Sequence, residues 1–319
     1  MYNLSIIIPH YNSVKTLDRL LNSIPKKKDI QIIVVDDKSN EQLQELSELI
    51  NKYKRNVYFI KNITAKKGAG VCRNIGLEIA TGKWILFADS DDYFKRTMYE
   101  DVSKFFTSEF NIVYFTPTSI DNETGLNSDR HIQYENLINN FLENPNRENK
   151  NNLKYKFHVP WSKLIRRDFI VGNSIQFDEV LASNDVMFSA KMGFYTNTFE
   201  VSKNIIYCSI RDKGSLTTQI NEAVYDSRLK VWINYYNFLK DNLSKDEFKG
   251  LNIQTSGRGF LIKAVKYRFN IFKLINIYYQ LRRNKLPIID KKIINPLFLI
   301  RTLKIHYQQY KYEKKYYTK

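Results

Sequence analysis

The chain alternates short, nearly unbroken apolar runs with segments of helical period, and that alternation constrains the fold more than any other feature. Leu4-Ser5-Ile6-Ile7-Ile8 ends at Pro9, Ile30 to Val35 ends at Asp36, and Trp84 to Ala88 ends at Asp89. Val57 to Ile60 and Ile112 to Phe115 are further runs of the same kind. β-Branched strands with no polar alternation suit a parallel sheet covered on both faces. Between them, Val14, Leu17, Leu20, Leu21 and Ile24 recur at helical spacing behind a cap at Asn12 or Ser13. Leu43, Leu46, Leu49 and Ile50 do so behind Ser39 or Asn40, and a third helix is expected from Ala69 to Ala80, stopping near Gly82. The order β-α-β-α-β predicts right-handed crossovers and an α/β fold with a doubly wound, mostly parallel sheet. Ligands of such sheets sit beyond the carboxyl ends of the strands, so the polar residues following each strand matter most.

A length of 319 residues suits one large domain or two smaller ones. With 43% hydrophobic and 14% aromatic residues the chain is too apolar to be disordered. Two cysteines, Cys72 and Cys208, cannot staple a chain this long, which points to a reducing, cytoplasmic setting. No run of 18 apolar residues reads as a spanning helix, and the N-terminus lacks the basic region and cleavage site of a secretory signal.

The formal charge of +17 is unevenly placed. Residues 258–319 hold 16 Lys and Arg against 2 acids, while residues 1–257 hold 34 against 31. Codon bias would not empty one segment of acids, so a basic C-terminal extension asks for an anionic partner. Beyond Pro296, Arg301, Lys304, Lys311 and Lys315 fall on one helical stripe, beside Leu299, Ile300, Leu303, Tyr307 and Tyr310. Such a helix suits the interfacial plane of an anionic membrane, on its cytoplasmic face. Between Arg258 and Arg283 the charges scatter around the helix, which reads as core packing with long basic stems turned outward. A solvated helical face is the bland alternative. Nucleic acid is disfavoured, because no binding motif accompanies the charge.

Acids cluster after two of the strands. Asp36-Asp37-Lys38-Ser39 follows the second, and Asp89-Ser90-Asp91-Asp92 follows the fourth, with Pro9-His10-Tyr11-Asn12 after the first. Unpaired, these carboxylates would repel one another, so a hard divalent cation or a set of donors is expected beside them. The simpler reading makes them turn formers and helix caps. Four histidines without paired spacing argue against zinc, and no Gly-x-Ser-x-Gly elbow or complete dinucleotide fingerprint is present. Residues 121–152, polar and rich in Asn, read as a surface loop or mobile lid.

Several of these pieces, in order, resemble the family 2 inverting glycosyltransferases of the GT-A fold. They are IIIPHYN at 6–12, IIVVDDKSN at 32–40, KGAGVCRNIGLEIATGKWILFADSDDYF at 67–94, PWSKLIRRDFI at 160–170, SNDVMFSAKMG at 183–193 and YCSIRDKGSLTT at 207–218. The resemblance covers roughly the first 220 residues. It implies a nucleotide-sugar-binding half over 1–100 and an acceptor-binding and catalytic half of the same domain over 101–220, while the helical, aromatic pattern beyond makes 221–319 a separate helical basic region. The resemblance further implies that Pro9 and Tyr11 border the base, Asp36 accepts from the uracil imide, and Arg73 approaches the uracil or the diphosphate. Asp89 would hold the ribose and Asp91 the metal, Mn²⁺ or Mg²⁺, with Asp92 a supporting neighbour or a cap for the next helix. Asp185 matches the family's catalytic carboxylate, and Asn184 departs from the Glu usually found beside it. Trp161 and Lys163 would flank the acceptor.

The expected activity is therefore metal-dependent, inverting transfer of a hexose or N-acetylhexosamine from a UDP-sugar. The acceptor would be a glycan, free or lipid-linked, in bacterial surface or capsular polysaccharide synthesis. One rival is a nucleotidyltransferase, which would release pyrophosphate and usually shows a Gly-rich, Lys-containing loop where this chain has PHYNS. The other is a non-enzymatic module that binds glycan or membrane. Three residues keep competing readings: Arg73 as a surface Arg paired with Glu78 or another acid nearby, Asp185 as a helix N-cap, and Trp161 as part of the core.

Overall fold

The computed structural model describes residues 2–212, 221–253 and 256–288. By internal packing the chain divides into two compact units, Met1–Arg211 and Asp212–Lys319. In the first, pairing spreads outward from β1 (Leu4–His10), all seven residues of which are buried. On one side β1 runs parallel to β2 (Ile30–Asp36), Leu4 opposite Ile30 and His10 opposite Asp36. β2 in turn runs parallel to β3 (Val57–Lys61). On the other side β1 runs parallel to β4 (Trp84–Phe87). The short β5 (Tyr93–Phe94), β6 (Ile112–Asp121), β7 (Lys163–Arg166) and β8 (Phe199–Arg211) complete one sheet of order β3-β2-β1-β4-β7-β6-β8-β5. β7 is antiparallel to both β4 and β6, whereas β8 is parallel to β6 and antiparallel to β5. The result is an α/β fold with a mixed, mostly parallel sheet. Ile6, Ile7, Ile8, Ile33 and Val34 are at most 1% exposed, and each fully buried side chain of this size contributes roughly 1.5–3 kcal/mol.

The first three helices form where the apolar spacing places them: α1 (Val14–Ser23), α2 (Leu43–Tyr53) and α3 (Ala69–Ile79). Their starts differ from the simple capping expectation. Ser13 is the N-cap residue of α1, but its hydroxyl bonds to Ser90 rather than to the helix. α2 begins after Gln42, because Ser39 is engaged by Asp36 and Asn40 by Asn12. Gly68 precedes α3 at φ +123°, a conformation that side chains resist, and its N–H donates to Asp37 Oδ2 at 2.7 Å. At Gly70 a Cβ would collide with the carbonyl oxygen of Asp178, so the missing side chain lets α3 lie against the 178–184 segment.

Residues 121–152 are not the loop that their composition suggests. After α4 (Met98–Ser103) and β6, the chain forms α5 (Ile132–Glu143) and α6 (Arg147–Lys156). Tyr134 and Ile138 of α5, and Leu153 and Tyr155 of α6, are buried. Asn146 accepts from Asn149 N at 2.9 Å and caps α6. Sparse apolar residues at helical spacing, packed inward, outweigh the polar average. α7 (Arg167–Gly172) and α8 (Asn184–Tyr195) complete the unit.

The second unit is helical where described: α9 (Glu222–Asn242), α10 (Lys245–Gly250), α11 (Ser256–Lys266) and α12 (Ile271–Arg283). A reciprocal Ser244–Glu247 capping box opens α10, and Asn270 caps α12 by accepting from Lys273 N. Lys273 reaches back to Glu222 and Asp226 of α9 at 3.0 and 2.6 Å. The expected basic stripe at 301–315 lies outside the described residues.

Candidate active site at the strand ends

The carboxyl ends of β1, β2 and β4 bring three polar clusters to one edge of the sheet. At the first, His10 and Asp36 face each other in register. The His10 Nδ1–H donates to Asp36 Oδ1 at 2.9 Å, while Nε2 accepts from Ser13 N at 3.3 Å, and this pair of bonds fixes the tautomer. Ser39 donates to Asp36 from its hydroxyl at 2.5 Å and from its amide at 3.1 Å. Burial works to raise the pKa of Asp36, but the His10 and Ser39 bonds prevail and hold it below the usual carboxylate range. Asp37 turns away, accepting from Asn62 at 2.7 Å and from Gly68 N, and so fixes the approach to α3. Pro9 is buried within β1. Tyr11 is 47% exposed, with Lys67 Nζ 5.0 Å from its ring, and presents an aromatic face at the rim.

The second cluster follows β4. Ligand oxygens of Asp89, Asp91 and Asp92 all lie within 4.8 Å of one another. Asp92 is fully buried and both its oxygens are taken: Ile210 N donates to one at 2.6 Å and Tyr207 Oη to the other at 2.7 Å. Tyr207 Oη also accepts from Asp89 N at 2.9 Å, so one phenol ties the whole turn to β8. The helix after this turn is capped at Thr97, and Asp92 does not cap it. Asp89 Oδ1 accepts from Arg73 at 2.5 Å. Burial and the neighbouring Asp89 raise the proton affinity of Asp91, with Arg130 and Arg19 opposing them. Asp92 is raised further, by burial and then by Asp91, again against Arg130. A group of like charges strained in this way gains from a cation. With Asp92 already committed to protein donors, Asp91 and the second oxygen of Asp89 are the groups offered to it.

The third cluster carries the base candidate. Arg73, 5% exposed on α3, donates to Asp89 and also to Asn184 Oδ1 at 2.6 Å, with Phe177 5.3 Å from the guanidinium carbon. Its partners are thus Asp89 and Asn184, not Glu78. Ser183 is the N-cap of α8 at φ 62°, so Asp185 lies inside the first turn and is not the cap. Burial raises Asp185 above the ordinary carboxylate range, Arg73 and Lys163 work to lower it, and Asp89 adds to the rise. A carboxylate of raised proton affinity suits proton abstraction.

Trp161 and Lys163 are each only 1% exposed, so the core reading of Trp161 prevails and neither side chain offers an open face to an acceptor. Trp161 stacks on Tyr207 with ring centroids 5.6 Å apart, and so backs the phenol that holds Asp92. Lys163 Nζ donates to Phe157 O at 2.5 Å and to Ser189 Oγ at 3.0 Å, which pins α8 one turn beyond Asp185. Burial lowers this ammonium to about 7, with Asp185 opposing the shift. Two further residues belong to the site although sequence reasoning passed over them. Arg130, between β6 and α5, donates to Ile210 O at 2.7 Å and is held charged by Asp92, Asp91 and Asp89 against the cost of burial. Its only sequence signal was a lone Arg in a segment read as a loop. Tyr207 sat within a recognised stretch but had no assigned role.

A parallel β3-β2-β1-β4 half-sheet with an Asp-x-Asp turn after β4 is a nucleotide-sugar transferase scaffold of the GT-A type. The chain belongs to glycosyl transferase family 2, whose model matches residues 5–171. Among curated proteins, a cholesterol galactosyltransferase of Borreliella burgdorferi is 27% identical over 246 residues, spanning 72% of this chain and 66% of its own length. The poly(ribitol-phosphate) beta-N-acetylglucosaminyltransferase TarS of Staphylococcus aureus is 29% identical over 213 residues, spanning 65% of this chain and 35% of TarS. The chain thus matches less than two thirds of either relative. The crystal structure of S. aureus TarS 1-349 in complex with UDP-GlcNAc superposes with a TM-score of 0.67 at 21% identity, over 92% of this chain and 85% of that one, a likeness of fold.

Proposed function

We propose that the protein is an inverting glycosyltransferase that moves a hexose or N-acetylhexosamine from a UDP-sugar to a glycan acceptor, with Asp185 as general base. The observation that carries this reading is Arg73, whose guanidinium joins Asp89 of the donor edge to Asn184 beside Asp185. Asp36, with Pro9 and Tyr11, would receive the uracil, Asp89 the ribose, and Arg73 the diphosphate. Asp185 takes the proton from the acceptor hydroxyl as that oxygen bonds to the anomeric carbon. The bond from that carbon to the diphosphate oxygen breaks with inversion, and UDP departs with the electron pair. No enzyme nucleophile is involved. A divalent cation, Mn²⁺ or Mg²⁺, held by Asp91 and Asp89, would supply positive charge to the leaving diphosphate. Arg73 and Arg130 stand beside the same acids as fixed positive charges.

The activities of the relatives guide the substrates to try. TarS makes UDP-GlcNAc the first donor, and bacterial surface polymers and lipid-linked glycans are the first acceptors. The reading includes a location: an anionic membrane surface met through residues 258–319. Among the described residues no helix is long and apolar enough to cross a membrane. The test is a screen of nucleotide sugars with Mn²⁺ or Mg²⁺ that measures both UDP and pyrophosphate. UDP release dependent on an acceptor is expected. Pyrophosphate release would establish the nucleotidyltransferase alternative instead.

A further inference from the structure

Helix α12 has two apolar faces, and only one is used within its unit. Ile277 and Leu281 point inward and are fully buried, and Lys273 is anchored to Glu222 and Asp226 on the inner side. On the opposite side Ile271 is 61% exposed, Phe272 79%, Ile275 46%, Tyr278 44% and Tyr279 65%. At about 100° per residue these five fall within an arc of roughly 120°, along a helix about 20 Å long. Val265, at the end of α11, is also 61% exposed. An apolar surface of this kind on the outside of a folded unit marks a contact.

The charge around it selects the partner. Residues 256–288 contain eight Lys and Arg and no Asp or Glu. Arg282 and Arg283, both exposed, close the C-terminal end of the stripe. A second copy of this unit would set like charge against like. So would the chain's own residues 289–319, which carry eight bases and two acids. Nucleic acid would satisfy the charge but gain nothing from the aliphatic Ile271, Ile275 or Val265. An anionic bilayer satisfies both, because headgroup phosphates meet the basic residues while the aromatic and aliphatic side chains enter the acyl boundary.

We propose that the exposed α12 face, led by Phe272 and Ile275 and flanked by Arg282 and Arg283, is a monotopic docking surface for an anionic lipid bilayer. This rests on the anionic-surface part of the reading above and replaces a general attraction by a defined face that inserts.

The test uses the full chain and sedimentation with vesicles of phosphatidylcholine alone or mixed with phosphatidylglycerol. Wild type should bind the mixed vesicles, and more weakly as salt rises. Phe272→Ser with Ile275→Ser should weaken that binding by about tenfold or more, since two large apolar side chains leave the acyl boundary. Because both side chains already lie in solvent, circular dichroism should be unchanged. Phe272→Trp should be quenched by brominated acyl chains. If the double variant binds as wild type does and salt alone releases it, the α12 face is wrong and only a diffuse electrostatic attraction stands. If wild type ignores phosphatidylglycerol, both the face and the wider surface reading fall. A concentration-dependent dimer abolished by the double variant would assign the stripe to a second copy and overturn the proposal. UDP release with a water-soluble acceptor, read separately, tests the transferase reading and is expected to be equal in wild type and double variant.

Discussion

Met1–Arg211 holds 28 Lys and Arg against 25 Asp and Glu, whereas Asp212–Lys319 holds 22 against 8. The first unit spends its charges internally. Asp36 is matched by His10, Asp89 by Arg73, the Asp91 and Asp92 pair by Arg130 and Tyr207, and Asp185 by Lys163 and Arg73. Asp36, Asp91, Asp92 and Asp185 so arranged have shifted proton affinities, and all of these carboxylates have fixed positions, which are what bond-making requires. The second unit leaves much of its charge and a row of apolar side chains facing outward. On the reading proposed above, that arrangement serves adhesion rather than chemistry. Near-neutral and strongly basic stretches of one chain therefore answer different questions, one about what reacts and the other about where.

Substitutions that separate the two roles test the contrast. The largest effect is expected at Asp91: Asp91→Ala should abolish metal-dependent UDP release, and activity that persists in excess chelator would exclude its role. Asp185→Asn should lower kcat by about 10²–10⁴ with UDP binding nearly unchanged. Calorimetric titration with UDP, set beside turnover, reads both quantities. Trp161→Ala should destabilise the first unit by about 3–5 kcal/mol, measured by denaturant unfolding, because the ring is a buried support for Tyr207 rather than an acceptor platform. A smaller shift is expected from Lys163→Met. Since Asp185 is raised, activity should grow with pH through a value above the ordinary carboxylate range. Lys163 favours the ionised carboxylate, so its loss should carry that limb to higher pH. A limb that stays in place would uncouple the two residues. Arg282→Glu in the second unit should leave kcat on a soluble acceptor unchanged, and a marked fall there would dissolve the contrast.

Much of the first unit was legible because its signals are local. Ile6 to Ile8, Ile32 to Val35 and Trp84 to Phe87 are strands by composition alone, and the acids that follow them need only the rule that ligands gather at strand ends. The partners of those acids were harder to see because they arrive from far along the chain. Tyr207 reaches Asp92 across 115 residues, and Arg73 reaches Asn184 across 111. α5 and α6 were hidden by their Asn-rich surface, since the few inward residues that fix them are diluted in any average. Burial of Trp161 and Lys163 depends on helices that the sequence did not announce. In the second unit, which face of α12 turns outward is decided by packing against α9 and α11.

The double grip of Arg73 has a consequence for anyone dissecting this enzyme by mutation. A residue that touches only the donor edge would report on donor affinity, and one that touches only the base helix would report on turnover. Arg73 belongs to both, so its removal confounds the two readings and yields a number with no single owner. Only a thermodynamic cycle that pairs it in turn with Asp89 and with Asn184 can apportion the loss.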